Sequence, residues 1–247
     1  VWAKFEGVSD KMTNKSMDET FSFVKQNIKN LKTIYMAGGE PFLIKENLKI
    51  IDLIQKENPD LLLRINTNLS ILTPKIYKQL QLLKNVHWIV SAEATGKKFN
   101  YIRWPGNYQT LIQNIKKIQQ LPHKVTINMT WNLLCVSNII NFIDEMLEMG
   151  VHPNQFIMNC VQDPIEQSVR NITKQRRDNL VEIIKQKQSK INKNFFLFKV
   201  YTEMLDVLNQ PLLDTHKTAL YNTLMDFDTK RKLNSKEVFP ELYKEGI

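Results

Sequence analysis

The segment Gly38-Gly39-Glu40-Pro41 could bring peptide groups and a carboxylate close to a bound ligand. Two consecutive glycines allow backbone conformations that other residues avoid, and they leave their amide and carbonyl groups accessible. The carboxylate of Glu40 could accept hydrogen bonds from an ammonium group. The same residues would suit a tight turn before a helix, so this motif alone leaves ligand binding and a structural turn equally open.

Three further groups of polar residues could contact a ligand. Asn66-Thr67-Asn68 combines short polar side chains, although alone it is more typical of a helix cap or an Asx-turn. Ser91 and Glu93 are two residues apart and would share one face of an extended chain. Arg103 precedes Trp104-Pro105, and its planar guanidinium could clamp a carboxylate or phosphate or form a surface ion pair.

The hydrophobic pattern predicts elements that would bring these residues together. Strand-like segments alternate with amphipathic helices, which indicates βαβ units and a parallel sheet, either doubly wound and open or closed as a barrel. The strands are predicted at residues 33–37, 61–67, 86–92, 125–133 and 155–160, and the helices at 47–56, from Thr73-Pro74, 108–121 and 138–149. Ligands of parallel sheets bind beyond the carboxyl ends of the strands, where the candidate residues fall.

The alternation stops near residue 163, and the remaining chain reads as helical. Helices are predicted over residues 174–192, 195–208 and 215–227. No linker rich in Gly, Pro or Ser precedes them. We therefore expect an α/β region over residues 1–163 and a helical extension over residues 164–247 packed on it.

Composition excludes several classes of protein. The 247 residues are 43% hydrophobic and 24% charged, which is typical of a globular protein and excludes disorder. No apolar stretch reaches the ~18–20 residues of a membrane span, and no signal peptide is visible. The net charge of +9 comes from dispersed lysines without interleaved aromatic residues, so a solvated basic surface is favoured over nucleic-acid binding.

Cys135 and Cys160 lack metal-ligand spacing and are expected as reduced, buried thiols of a cytoplasmic protein.

Three segments together resemble the radical S-adenosylmethionine (radical SAM) superfamily, and in particular its twitch-domain-containing members. They are YMAGGEPFL, RINTNLS and VSAEATGKKFNYIRWPGNYQTLIQNI, and the C-terminal FDTKRKLNSKEVFPEL is similar to the ending of those members. The resemblance extends from about residue 32 to residue 242. It implies a partial (β/α)6 TIM-like barrel that binds S-adenosylmethionine across the strand ends, beside a [4Fe–4S] cluster.

The resemblance also implies a role for each candidate residue. It places Gly38, Gly39 and Glu40 at the methionyl ammonium of S-adenosylmethionine, with Pro41 shaping the turn. It places Arg103 at the methionyl carboxylate. The other implied positions are Ser91 at the ribose hydroxyls, Asn66 and Asn68 on the cavity floor, and Thr130 and Asn159 beside the adenine. Glu93 is also expected among the cofactor-binding residues.

Two departures from the family pattern stand out. The third strand of the family ends in Ser-X-Asp-Gly, whereas Ser91-Ala92-Glu93-Ala94 keeps the charge on the longer Glu93 and lacks the glycine. The CxxxCxxC motif that holds the cluster is absent from the sequence. In the family this motif follows the first strand, so the resemblance predicts a fragment with strands two to six, whose cluster ligands lie outside this chain.

The implied activity is reductive cleavage of S-adenosylmethionine to a 5′-deoxyadenosyl radical, which abstracts hydrogen from an unidentified substrate. The implied partners are an electron donor and this substrate, with peptides or proteins as the family's commonest class. The present chain alone is expected to be inactive. The alternative is a non-catalytic α/β scaffold that binds a partner or a small anionic ligand.

Overall fold

A parallel sheet of five strands organises the part of the chain that the structure describes. The structure is a computed structural model that describes residues 10–213 and 217–247, with backbone only for residues 10–16. The strands are β1 (Thr33–Met36), β2 (Leu62–Thr67), β3 (Val86–Ser91), β4 (Lys124–Trp131) and β5 (Phe156–Cys160), and they lie in sequential order. The predicted α/β fold class is thereby confirmed, and each strand lies within two residues of its predicted bounds.

The strand order distinguishes a barrel-type sheet from a doubly wound one. Crossovers between parallel strands are right-handed, so sequential order places the connecting helices on one side of the sheet. A doubly wound sheet instead reverses its order at a switch point. The sequence left these two arrangements open, and the observed order is that of a partial TIM-like barrel.

Four of the five helices between the strands were expected from the sequence. The helices up to β5 are α1 (Asp10–Asn27), α2 (Lys45–Glu57), α3 (Pro74–Gln81), α4 (Gly96–Ile102), α5 (Tyr108–Ile118) and α6 (Asn138–Glu148). At the start of α3, the side chain of Thr73 accepts a hydrogen bond from the amide of Ile76, as expected for an N-cap before Pro74. Helix α4 was not predicted, because its seven residues are too few for a periodic hydrophobic pattern.

The two faces of the sheet differ in polarity. One face is apolar, packs against the helices and includes the fully buried Trp88 and Trp131. We call the other the inner face, because it corresponds to the inside of a barrel. It carries Tyr35, Arg64, Asn66, His87, Ile89, Ser91, Thr126, Asn128, Thr130, Ile157 and Asn159, together with Lys124 at the start of β4.

Five α-helices follow the sheet among the described residues. They are α7 (Lys174–Gln188), α8 (Phe196–Leu208), α9 (Lys217–Arg231), α10 (Ser235–Val238) and α11 (Pro240–Lys244). Helix α8 contacts β5, and α10 contacts α4. The predicted helix over residues 215–227 corresponds to α9, which extends four residues further, to Arg231. The first two predicted residues, 215 and 216, lie outside the described residues. No helix of the described residues is long and apolar enough to cross a membrane.

Candidate functional site

A cavity of about 160 Å³ lies at the carboxyl ends of the central strands. Its lining residues come from the segments that follow β2 and β3, the end of α4, and β4 with the residues after it. They are Asn68, Glu93, Ile102, Arg103, Trp104, Thr130 and Asn132. Four of these seven, Asn68, Glu93, Arg103 and Thr130, are candidates from the sequence. The structure therefore brings together candidates up to 62 positions apart in the chain, from Asn68 to Thr130.

Glu93 and Arg103 form a buried ion pair in the wall of this cavity. Nε of Arg103 donates to Oε1 of Glu93 at 2.8 Å, and Nη2 donates to Oε2. The Glu93 side chain is 1% exposed and that of Arg103 is 21% exposed. Burial by itself would lower the pKa of Arg103, but the adjacent Glu93 carboxylate raises it above its ordinary value. A ligand carboxylate would therefore meet a guanidinium whose fork already holds Glu93.

Glu40 faces the end of β2. The Thr67 hydroxyl lies 2.7 Å and 2.8 Å from its two carboxylate oxygens, and the amide of Asn68 donates to Oε2 at 3.1 Å. Burial raises the pKa of Glu40, and the hydrogen bonds from Thr67 and Asn68 oppose that rise. Glu40 does not line the cavity, but it holds the backbone of Asn68, which does. The carboxylate thus joins the loops that follow β1 and β2.

The two glycines before Glu40 form an exposed turn. Gly38 has a φ of 94° and Gly39 a φ of 58°, values that L side chains rarely adopt. A Cβ atom at either position would contact nothing within 4 Å, so conformation rather than space requires glycine here. Pro41 is buried and begins a short 3-10 turn. The backbone at Gly38 and Gly39 is accessible, and neither residue lines the cavity.

The remaining polar candidates are paired across the inner face. The Ser91 hydroxyl donates to Oδ1 of Asn66 at 3.0 Å. The Asn159 amide donates to Oδ1 of Asn128 at 3.1 Å, and Asn128 is the register partner of Ser91. A ladder of polar side chains thus crosses β2 to β5 beside the cavity. Of the two residues implied for the adenine, Thr130 lines the cavity and Asn159 does not.

Sequence reasoning missed Ile102, Trp104 and Asn132 as cavity residues. Oδ1 of Asn132 accepts hydrogen bonds from the amides of Leu134 and Cys135, so this side chain caps the turn that follows β4. Its position directly after a strand is the same feature that identified the other candidates. Trp104 is 47% exposed. In the sequence it stands out only because it follows Arg103, and no contact with the ligand is predicted for it.

Neither cysteine lies in a metal-ligand cluster. Cys135 is fully buried, and burial together with the negative charge of Glu93 raises the pKa of its thiol. Burial and Glu203 raise the pKa of Cys160 to about 11. No group of three or more His, Cys, Asp or Glu side chains among the described residues could hold a metal ion. Since the whole sequence contains two cysteines, its residues do not fit a cluster that needs three thiolates.

Comparison with solved structures identifies relatives of the fold. Streptococcus suis SuiB bound to S-adenosylmethionine has a TM-score of 0.52 at 17% identity, over 76% of this chain and 44% of SuiB. SuiB bound to the precursor peptide SuiA gives 0.51 at 18% identity, with the same coverage. Native anSMEcpe with bound AdoMet gives 0.51 at 14% identity, over 84% of this chain and 57% of that one. The chain thus spans about half the length of these relatives, and the likeness is one of fold.

Comparison with protein families assigns the chain more directly. No curated protein matches it. The family model of the Radical SAM superfamily matches residues 3–132, which is more than half of the chain. This range includes β1 to β4 and all seven cavity residues, the last of which, Asn132, is its final residue. The chain belongs to the radical SAM superfamily.

Proposed function

We propose that this chain forms the S-adenosylmethionine-binding part of a radical SAM enzyme. The observation that carries the proposal is the convergence of Asn68, Glu93, Arg103 and Thr130 on one cavity at the strand ends. In a parallel barrel this edge is where ligands bind. The fold likeness to SuiB and anSMEcpe, whose structures contain S-adenosylmethionine, adds support.

In the proposed complex the paired Arg103 still contributes to binding. Glu93 occupies the Nε donor and one Nη2 donor, so the donors left for the methionyl carboxylate are those of Nη1 and the second one of Nη2. The side-chain oxygen of Asn68 accepts from the amide of Ser70 at 2.9 Å, which leaves its amide nitrogen as a donor toward the cavity. Thr130 is the adenine-side residue of the cavity in this proposal. The roles of Gly38, Gly39, Glu40, Pro41, Asn66, Ser91 and Asn159 stay predictions from the resemblance.

This chain lacks the three cysteines that an iron–sulfur cluster of this family needs as ligands. In the proposed enzyme, three thiolates from residues outside this sequence bind the [4Fe–4S] cluster, and the chain alone is inactive. Held by those thiolates, the cluster would supply the one-electron chemistry that the resemblance implies, which is reductive cleavage of S-adenosylmethionine to a 5′-deoxyadenosyl radical for hydrogen abstraction. The contribution of this chain is to position the cofactor.

The organisation and partners of the proposed enzyme follow the sequence predictions. In this proposal, as predicted from the sequence, residues 1–163 belong to the barrel part and residues 164–247 to a helical extension packed on it, in an enzyme that resembles the twitch-domain-containing members. The substrate class that we propose to test first is a peptide, because a structure of SuiB contains its precursor peptide. An electron donor and a cytoplasmic location complete the proposal.

Titration of the isotope-labelled chain with S-adenosylmethionine, followed by amide NMR, tests the proposal. We expect saturable shifts at Asn68, Thr130 and Trp104, and weaker binding in Asn68→Ala. Asn209→Ala is the matched control, because Asn209 is exposed at the end of α8 and outside the cavity. Absence of saturable shifts in the wild-type chain would favour the non-catalytic scaffold.

A further inference from the structure

A row of basic side chains crosses the inner face at the end opposite the cavity. Arg64 on β2 is the register partner of His87 on β3, and His87 is the partner of Lys124 on β4. We call these three residues the basic row. Neighbouring strands are ~4.8 Å apart, so the row extends over roughly 10 Å. Along β3, His87 precedes Ser91 by four residues, which is about 13 Å at ~3.3 Å per residue.

The charge of the basic row is not neutralised within the described residues. The five strands contain no Asp or Glu, and neither Arg64 nor Lys124 forms an ion pair with a described residue. Lys124 is exposed and Arg64 is partly buried. Two permanent positive charges thus share one side of the sheet, and a ligand on this face would complement them best with negative charge.

Arg64 carries a buried donor that lacks a partner. Its Nε is inaccessible and has no hydrogen-bond partner, while its guanidinium lies 5.2 Å from the centre of the Tyr35 ring. Two other buried side-chain atoms of the described residues are unpartnered, Oε1 of Gln79 and the Tyr108 hydroxyl, and neither is cationic. Buried guanidinium N–H groups are normally hydrogen-bonded. No acceptor among the described residues therefore holds Arg64 at Nε, and the accessible part of its guanidinium remains available to an anion.

His87 can add a neutral donor between the two cations. Its Nε2 lies 2.8 Å from the Thr126 hydroxyl oxygen. Burial and the charges of Lys124 and Arg64 lower the pKa of His87 to about 4, so the ring is neutral at neutral pH. When the Thr126 hydroxyl donates to Nε2, the ring proton is on Nδ1 and is available to an anion.

We propose that the basic row binds the phosphate group of a phosphorylated ligand. A phosphate dianion matches the two permanent charges, and its several oxygens can accept from more than one donor. A single carboxylate would neutralise one charge and leave the other unpaired. This site goes beyond the cofactor cavity and does not depend on S-adenosylmethionine binding, because the two sets of residues share no member.

NMR titration of the isotope-labelled chain with inorganic phosphate tests this proposal, with chloride keeping the ionic strength constant. We expect saturable shifts of the His87 ring and the Thr126 amide in the millimolar range. We expect affinity to fall about tenfold or more in Arg64→Gln and in Lys124→Gln, as for loss of one charged partner. Lys84→Gln is the matched control, since Lys84 pairs only with the exposed Asp60.

Three outcomes would overturn the proposal. The first is that phosphate produces no saturable shifts at His87 or Thr126 throughout the millimolar range. The second is that Lys124→Gln, which changes an exposed residue and should not impair folding, binds phosphate as tightly as the Lys84→Gln control. The third is that succinate binds as tightly as phosphate, which would assign the row to carboxylates. Each readout is independent of the cofactor, so failure here leaves the proposed function unaffected.

Discussion

Arg103 and Glu93 hold each other through two parallel hydrogen bonds, from Nε to Oε1 and from Nη2 to Oε2. Helix α4, which lies between them in the chain, returns Arg103 to the end of β3 where Glu93 is buried. The pair is thus both a structural contact and part of the cavity wall. Its two roles can be separated by comparing stability with ligand binding.

Removal of Arg103 should destabilise the fold. Arg103→Gln leaves the Glu93 carboxylate buried without its cationic partner, and such losses cost about 3–5 kcal/mol of unfolding free energy. Urea denaturation measures this quantity. Arg177→Gln is the control, because Arg177 pairs with the half-exposed Asp178 and should cost no more than about 1 kcal/mol. Equal stability of the two variants would contradict the buried-pair interpretation.

Replacement of both partners should be less harmful than replacement of one. In Glu93→Gln/Arg103→Gln no unpaired charge remains buried, so we expect the double variant to be more stable than Arg103→Gln. A double-mutant cycle from the same urea data gives the coupling energy, which we expect at about 1–3 kcal/mol. Additive losses would show that the two side chains contribute independently.

His87 should stay neutral well below its ordinary pKa of 6.5. Its pKa in the folded chain is lowered to about 4, so between these values the unfolded chain binds more protons. The contribution of neutral His87 to stability is therefore present above pH 6.5 and is lost as the pH falls toward 4. We expect His87→Gln to show a shallower loss of stability over this range than the wild type.

Lys124→Gln should raise the pKa of His87 without restoring it to 6.5, because burial is the larger cause of the shift and Lys124 the second. An NMR titration of the ring in this variant measures the change. A pKa that does not move would contradict the electrostatic contact between neighbouring members of the basic row.

Asp228 should be required for the C-terminal helices to hold α4. It accepts hydrogen bonds from the Tyr101 hydroxyl at 2.8 Å and from the amide and hydroxyl of Ser235, at 2.6 to 2.9 Å. Asp228→Ala leaves these donors unsatisfied and should cost about 1–3 kcal/mol. Hydrogen exchange should speed up in α4, whereas Asp226→Ala, which breaks an exposed pair with Lys230, should change little.

The sequence by itself determined the parallel α/β fold and the edge of the sheet where candidate residues gather. A run of apolar residues that ends in polar ones is a local feature of the sequence. Such runs predicted β1 to β5, and they placed Asn68, Glu93 and Arg103 beyond or near the strand ends. Helix α4 escaped prediction because seven residues carry too little periodicity. The order of the strands along the sheet could not be predicted from local patterns either, because strands and helices alternate along the chain in the same way in barrels and in doubly wound sheets.

Only the tertiary structure decided which side chains meet. Arg103 pairs with Glu93, and Glu40 receives hydrogen bonds from Thr67 and Asn68, because packing between distant segments sets the direction of each side chain. The basic row exists because parallel register aligns Arg64, His87 and Lys124, which lie 23 and 37 residues apart in the chain. A shift of one residue in any of these strands would turn its side chain to the opposite face, and no local pattern encodes that register.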